Sequence, residues 1–307
     1  MSSFATRFKT ETIDGQTVFY REAGDPNRPT LVLLHGFPSS SHMFRNLIAG
    51  LADEFHLIAP DHLGFGRSST PAVDEFEYSF EALTSVTLAL LDRLGLDRFA
   101  VYIQDYGAPI GLRIASRHPD RVTALVVQSG NAYQEGFTPF WDVLFAHAKD
   151  REANEAAVRR LLEVEATRWQ YTHGVPGDRL DRIAPETWLL DQAGLDRPGN
   201  KEIQLQLFWD YQFNLDAYPA FQEYFRTHRP RTLITWGRND KIFGAAGAEM
   251  FARDIPDAEI HLLDAGHFAL ETHGEEIAGL TREFLQRAPR ANCLTGDRRC
   301  LFTPSDG

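Results

Sequence analysis

Cysteine is nearly absent from this chain of 307 residues: there are two, Cys293 and Cys300, both close to the C-terminal end. The body before them needs no disulfide, and free thiols are the simpler reading of the pair, with a bridge inside the tail as the alternative. Long apolar runs are missing as well. None approaches the ~20 residues of a membrane span, and Met1-Ser-Ser-Phe-Ala-Thr-Arg-Phe-Lys9 lacks the apolar stretch of a signal peptide. No basic run accumulates, and gripping a phosphate backbone requires one, so no nucleic-acid partner is expected. The formal charge is −12, from 43 acidic and 31 basic residues, which favours solubility. The expectation is a cytoplasmic protein with neither a membrane nor a nucleic acid as partner. What remains is an ordinary globular mixture, 43% hydrophobic and 24% charged, long enough for one large domain or a domain with an insertion. Composition does not fix the oligomeric state.

The most informative stretch is Phe99-Ala-Val-Tyr-Ile-Gln-Asp-Tyr-Gly-Ala-Pro-Ile-Gly111. Val101, Tyr102 and Ile103 have the composition of a buried strand. Gln104-Asp105-Tyr106-Gly107 turns sharply, and Ala108, Ile110, Leu112, Ile114 and Ala115 resume at helical spacing. Pro109 suits a first helical turn, where its missing N–H costs nothing. Strand, tight turn and helix make a nucleophile elbow, which lifts one side chain above the end of a sheet. Here that side chain is a carboxylate. With a reference pKa of about 3.9 it is ionised at neutral pH and needs no base to attack an sp³ carbon. A carbonyl suits it poorly, because the product would be an anhydride. The plainer reading is an Asp that only caps the following helix.

Along the chain, residues 7–22 alternate around Asp14-Gly15, a hairpin signal. Short apolar runs at Thr30–Leu34, His56–Ala59, Phe99–Ile103, Val122–Val127, Arg231–Trp236 and Glu259–Leu263 read as buried strands. Helical patterns lie between them, one from about His42 to Leu51 capped by Ser41, another from Ser79 to Leu94. This alternation predicts an α/β fold with a mostly parallel central sheet covered on both faces. Gly64-Phe-Gly66 lacks the third glycine of a dinucleotide fingerprint, and Pro60 follows the strand before it. From about Tyr133 to Arg229 strand signals stop. Residues 138–149, 152–169, 185–194 and 201–227 read as helices, rich in aromatics. The domain reading is therefore a core of residues 1–132 and 230–288, an inserted helical cap of 133–229 and a loose tail of 289–307.

Asp105, Asp240 and His267 fall on three strand-end loops, in the order nucleophile, acid, histidine of an α/β-hydrolase triad. Once Asp105 carries an ester, water must attack it. His267, with a reference pKa near 6.5, is the base, and Asp240 orients its imidazole. The backbone N–H groups of Phe37 and Tyr106 are placed to form an oxyanion hole. His35 of His35-Gly36-Phe37-Pro38 is read as a structural group at the edge of the pocket. No histidine set has metal-ligand spacing, so neither metal nor cofactor is expected.

His-Gly-Phe-Pro at 35–38, Asp-His-Leu-Gly-Phe-Gly-Arg-Ser at 61–68, Gln-Asp-Tyr-Gly at 104–107, Gly-Arg-Asn-Asp at 237–240 and Gly-His-Phe at 266–268 carry a resemblance. Over roughly residues 7–287 the chain resembles the α/β-hydrolase superfamily branch that contains epoxide hydrolases and haloalkane dehalogenases. The resemblance implies two lid tyrosines that donate to an epoxide oxygen, for which Tyr211 and Tyr171 are the candidates, with Tyr133 and Tyr218 competing for the second place. It implies a pocket lined by His35, Trp169 and Phe268. Dehalogenases of this branch usually carry Trp directly after the nucleophile, and a second Trp or an Asn, to hold the halide. Tyr106 and Phe37 occupy those slots. In the other direction, Ile103 stands where epoxide hydrolases usually have Gly. Haloacetate dehalogenases need arginines where Tyr106 and Pro109 stand.

The expected activity is an epoxide hydrolase working through an alkyl-enzyme ester, on a small apolar electrophile and water. The alternatives are a haloalkane dehalogenase on the same triad and, from another class, a non-catalytic ligand-binding protein on a hydrolase fold. An ordinary serine esterase ranks below all of these, since no Ser occupies the elbow.

Overall fold

The structure is a computed structural model that describes residues 5–287. Cys293, Cys300 and the tail that holds them lie outside the described residues.

β1 (Arg7–Ile13) and β2 (Gln16–Ala23) form the hairpin expected at Asp14-Gly15, where φ is 48° and 81°, the positive values a two-residue hairpin turn demands. β3 (Thr30–Leu34) follows, then α1 (Arg45–Leu51), β4 (His56–Pro60), α2 (Phe80–Arg93), β5 (Phe99–Gln104), α3 (Gly107–Arg117) and β6 (Val122–Gln128). Ser79, expected as the first residue of α2, is its N-cap and accepts from the Ala82 N–H. Ser41 does not cap α1, whose N-cap is Phe44 with no side-chain bond; Ser40 caps the 3₁₀ turn Ser41–Phe44 just before it, and the Ser41 hydroxyl accepts from Arg21 Nε at 3.0 Å.

Six helices then run without a strand: α4 (Asp142–Lys149), α5 (Arg151–Arg159), α6 (Val164–Thr172), α7 (Pro185–Leu195), α8 (Asn200–Asp210) and α9 (Gln212–His228). Two expected single helices are thus divided. The 152–169 pattern breaks at a 3₁₀ turn, Arg160–Leu162, and the 201–227 pattern breaks at Tyr211. β7 (Thr232–Gly237), α10 (Ala245–Asp254), β8 (Glu259–Leu263) and α11 (Ala269–Gln286) complete the described chain. Among the described residues no helix is long and apolar enough to cross a membrane.

The eight strands form one sheet in the order β1-β2-β4-β3-β5-β6-β7-β8, in which only β2 runs against the rest. Alternate residues of each central strand enter two cores. Val32, Leu34, Val101 and Ile103 face α2, α3 and α10, whereas Leu31, Leu33, Ala100 and Tyr102 face α1 and α11. A strand buried on both faces reads as a continuous apolar run, which is why β3 and β5 show no polar alternation. The chain winds outward in opposite directions from β3 and β5, so a crevice opens beyond their carboxyl ends, the usual place for a ligand in such sheets. The helices of 142–228 reach over this edge: Phe208 meets Phe37 at 4.9 Å and Tyr211 meets Tyr106 at 6.0 Å between ring centres.

Candidate active site

Asp105 follows β5 directly and stands in the left-handed region with φ 48°. A non-glycine residue there stores roughly 1–3 kcal/mol of strain. The turn is possible because Gly107 backs onto β3; a Cβ at 107 would overlap the Leu34 carbonyl. The carboxylate does not cap α3, whose N-cap is Tyr106 with no side-chain bond. Its Oδ1 instead accepts from the Phe37 and Tyr106 N–H groups, both at 2.7 Å. Oδ2 faces His267 Nε2 at 3.8 Å.

His267 sits in the loop after β8, and its Nδ1 lies 2.8 Å from Asp240 Oδ2. The other oxygen of Asp240, in the loop after β7, accepts from the N–H groups of Ile242 at 2.8 Å and Phe243 at 3.1 Å. In the neutral ring Nδ1 therefore carries the proton and Nε2 is the acceptor. Asp105, Asp240 and His267 are all buried. Burial pushes the Asp105 carboxyl up to about 6; the His267 charge and the two N–H groups draw it down, and Asp240 pushes it up. Burial alone would lower the His267 pKa, but Asp240 and then Asp105 hold it above its ordinary value.

The other expected residues divide. Tyr211, at the break between α8 and α9, joins the first core among Tyr106, Phe80 and Trp141. Burial raises its pKa far above the ordinary value, with the neighbouring Tyr218 and Asp105 adding to the shift, so it remains an O–H donor. Tyr171 does not join it. Its ring is stacked flat on Phe268 at 3.9 Å in the second core, and its hydroxyl donates to Asp191 at 2.5 Å. The expected tyrosine pair is corrected accordingly: a buried carboxyl on α7 has claimed the second hydroxyl. Asp191 is itself pushed up to about 8 by burial, with Tyr171 and Ser39 drawing it down.

His35 is also corrected. Its Nδ1 bonds the Gly36 carbonyl at 3.0 Å and its Nε2 accepts from His62 N–H at 3.1 Å. Both ring nitrogens are spent on backbone, and burial lowers its pKa to about 4. It braces the loop that presents Phe37 and offers no free ring nitrogen to a pocket. Phe268 is sandwiched between His267 and Tyr171. Trp169 is half-buried, stacked on Phe140 and His173, and lines a cavity of about 230 Å³ with Leu161, Ala166 and Gln170. Among the described residues no group of three or more His, Cys, Asp or Glu is placed to hold a metal ion.

Sequence reasoning assigned no role to Gln104. It is fully buried, and its side-chain nitrogen lies 2.9 Å from His267 Nε2. The available signal was a polar residue ending an otherwise apolar central strand.

A strained strand–helix turn bearing a carboxylate, faced by a histidine on an acid from two later strand ends, is the arrangement of an α/β-hydrolase. The sequence profile of the alpha/beta hydrolase fold matches residues 29–274. The chain belongs to this family and is a hydrolase of the α/β-hydrolase type. It is 44% identical to an uncharacterized hydrolase, YNR064C, of Saccharomyces cerevisiae, over 91% of this chain and 97% of the relative. It is 40% identical to a haloalkane dehalogenase of Mycolicibacterium paratuberculosis, over 84% of each chain. In fold it is similar to the haloalkane dehalogenase DatA of Agrobacterium tumefaciens, with TM-score 0.77 at 24% identity, covering 92% of this chain and 96% of that one.

Proposed function

We propose that the protein hydrolyses an apolar carbon electrophile through an ester on Asp105, and that an epoxide is the substrate class. The observation that carries the covalent reading is the division of labour between the two carboxylate oxygens. Oδ1 is held by two N–H groups at 2.7 Å, while Oδ2 is left toward His267. Oδ2 attacks a ring carbon, the carbon–oxygen bond of the epoxide breaks, and the alkoxide takes a proton from Tyr211. Water then attacks Cγ, giving its proton to His267 Nε2, and the negative charge that develops on Oδ1 already has its two donors in place. The Cγ–O(alkyl) bond breaks and the leaving oxygen takes the proton from His267. The proton left on the Asp105 carboxyl returns to Tyr211, and the diol departs. In this proposal residues 133–229 act as a cap domain on the core formed by 1–132 and 230–288.

Tyr211 favours the epoxide, because an alkoxide needs a proton where a halide does not. A halide needs N–H donors, and the two fully buried indoles, Trp141 and Trp236, both donate to backbone carbonyls, of Ile242 at 2.9 Å and Phe243 at 2.8 Å. A haloalkane is the second reading, supported by the relative of that name at 40% identity. Styrene oxide and a bromoalkane assayed side by side separate them: diol without halide release is expected, and the reverse overturns the substrate assignment. Repeated turnover in ¹⁸O-water must place label in the Asp105 carboxylate, and an unlabelled Asp105 removes the ester.

A further inference from the structure

The second half-reaction needs a water held against His267 Nε2, and one hydrogen bond leaves that water free to rotate. Gln104 offers a second. It lies directly before the nucleophile, and its side chain reaches the same imidazole nitrogen that must take the proton. With Nδ1–H committed to Asp240, Nε2 is an acceptor, so the Gln104 amide must turn its NH₂ toward it. The amide oxygen is thereby turned the other way, and Gln104 Oε1 is a buried acceptor without a hydrogen-bond partner among the described residues. An orphaned buried acceptor is costly, and here it stands beside the reacting groups.

We propose that Gln104 Oε1 is the second acceptor for the hydrolytic water, making Gln104 a catalytic residue of ester hydrolysis. The water displaces the amide NH₂ from Nε2, donates one hydrogen to Nε2 and the other to Oε1, and its oxygen is left to attack Cγ. The first hydrogen passes to His267 as the O–Cγ bond forms; the second stays on the new carboxyl until it ionises. Gln104 gains and loses no proton. This inference rests on the ester at Asp105 proposed above.

The two half-reactions separate in the kinetics. With alkylation measured by kcat/KM and ester hydrolysis by kcat, Gln104→Met, close in size and without the acceptor, is expected to lower kcat and KM together by about 10- to 100-fold. Its kcat/KM stays within about threefold, and the alkyl adduct on Asp105 accumulates in the mass spectrum. Gln104→Glu keeps an acceptor oxygen and is expected to hydrolyse the ester faster than Gln104→Met, with the acid limb of kcat moved to higher pH by the added negative charge beside His267. A loss confined to kcat/KM with no adduct in either variant makes Gln104 a packing residue and overturns the proposal, as does an unchanged kcat in Gln104→Met. The parallel control is His267→Gln. If that variant shows no adduct with styrene oxide or a bromoalkane, the ester itself is refuted; if it shows one while Gln104→Met does not, only the role of Gln104 falls.

Discussion

Two buried carboxyls sit on either side of the site loop, and they have been given opposite characters. Asp105 and Asp191 are both desolvated, which by itself favours the neutral acid. Asp105 is answered by two peptide N–H groups and an imidazole, and rests at about 6. Asp191 is answered chiefly by two hydroxyls, those of Tyr171 and Ser39, with Glu271 opposing and Arg45 assisting, and rests at about 8. Hydroxyl donors stabilise an anion less than oriented peptide dipoles and a nearby cation do. One carboxyl is therefore mostly ionised at neutral pH, and the other is a mostly neutral link between α6, α7 and the loop after β3. Burial alone does not mark a reactive acid; its donors do.

Exchanging each acid for its amide is the sharpest way to break this contrast. Asp105→Asn is expected to lower kcat by about 10⁴-fold or more, whereas Asp191→Asn should leave it within about threefold; equal losses would erase the distinction. Removing the imidazole comes next. His267→Gln should slow turnover by about 10²- to 10⁴-fold and leave Asp105 alkylated. It should also move the acid limb of adduct formation upward, since the histidine draws the Asp105 pKa down. In the wild type kcat/KM should rise with pH through about 6 as Asp105 ionises. The kcat profile should fall as pH drops through the His267 pKa, which lies above its ordinary value; a flat profile from pH 5 to 8 would refute both assignments. Third, Tyr211→Phe should cost about 10- to 100-fold on an epoxide and little on a bromoalkane.

The smallest effects concern stability. The Asp191 pKa is raised in the folded state, so its contribution is fully present below about pH 4, the unfolded value, and is lost as pH rises through about 8. Melting temperatures of Asp191→Asn should therefore be flatter than wild type between those limits. Tyr171→Phe, which removes the donor to Asp191, should cost about 1 kcal/mol without touching kcat. A kcat loss as large as that of Tyr211→Phe would restore Tyr171 to the reaction.

Much of this was legible in the chain. The strands of the sheet, the Asp14-Gly15 turn and the positions of Asp105, Asp240 and His267 at strand ends follow from apolar runs and the residues that end them. The break at Tyr211 did not show, because no glycine or proline marks it and Pro219 lies inside α9 instead. A distant contact accompanies it: the Asp210 carboxylate accepts from the Phe80 N–H at 2.7 Å. Nor could helical spacing say which core Tyr171 enters, since a tyrosine on α6 fits either until Asp191 and Phe268 are in place. Gln104 carries no such mark, because hydrogen-bond need at a strand end becomes visible only when the neighbours are known.

Gly36 lies so close to Asp105 that a Cβ there would overlap its side chain. The loop carrying Phe37 is thus moulded against the very group it serves, and even alanine at 36 would push the two apart. Directed variation of this site should leave position 36 fixed and draw diversity from Phe208 instead, whose ring meets that of Phe37.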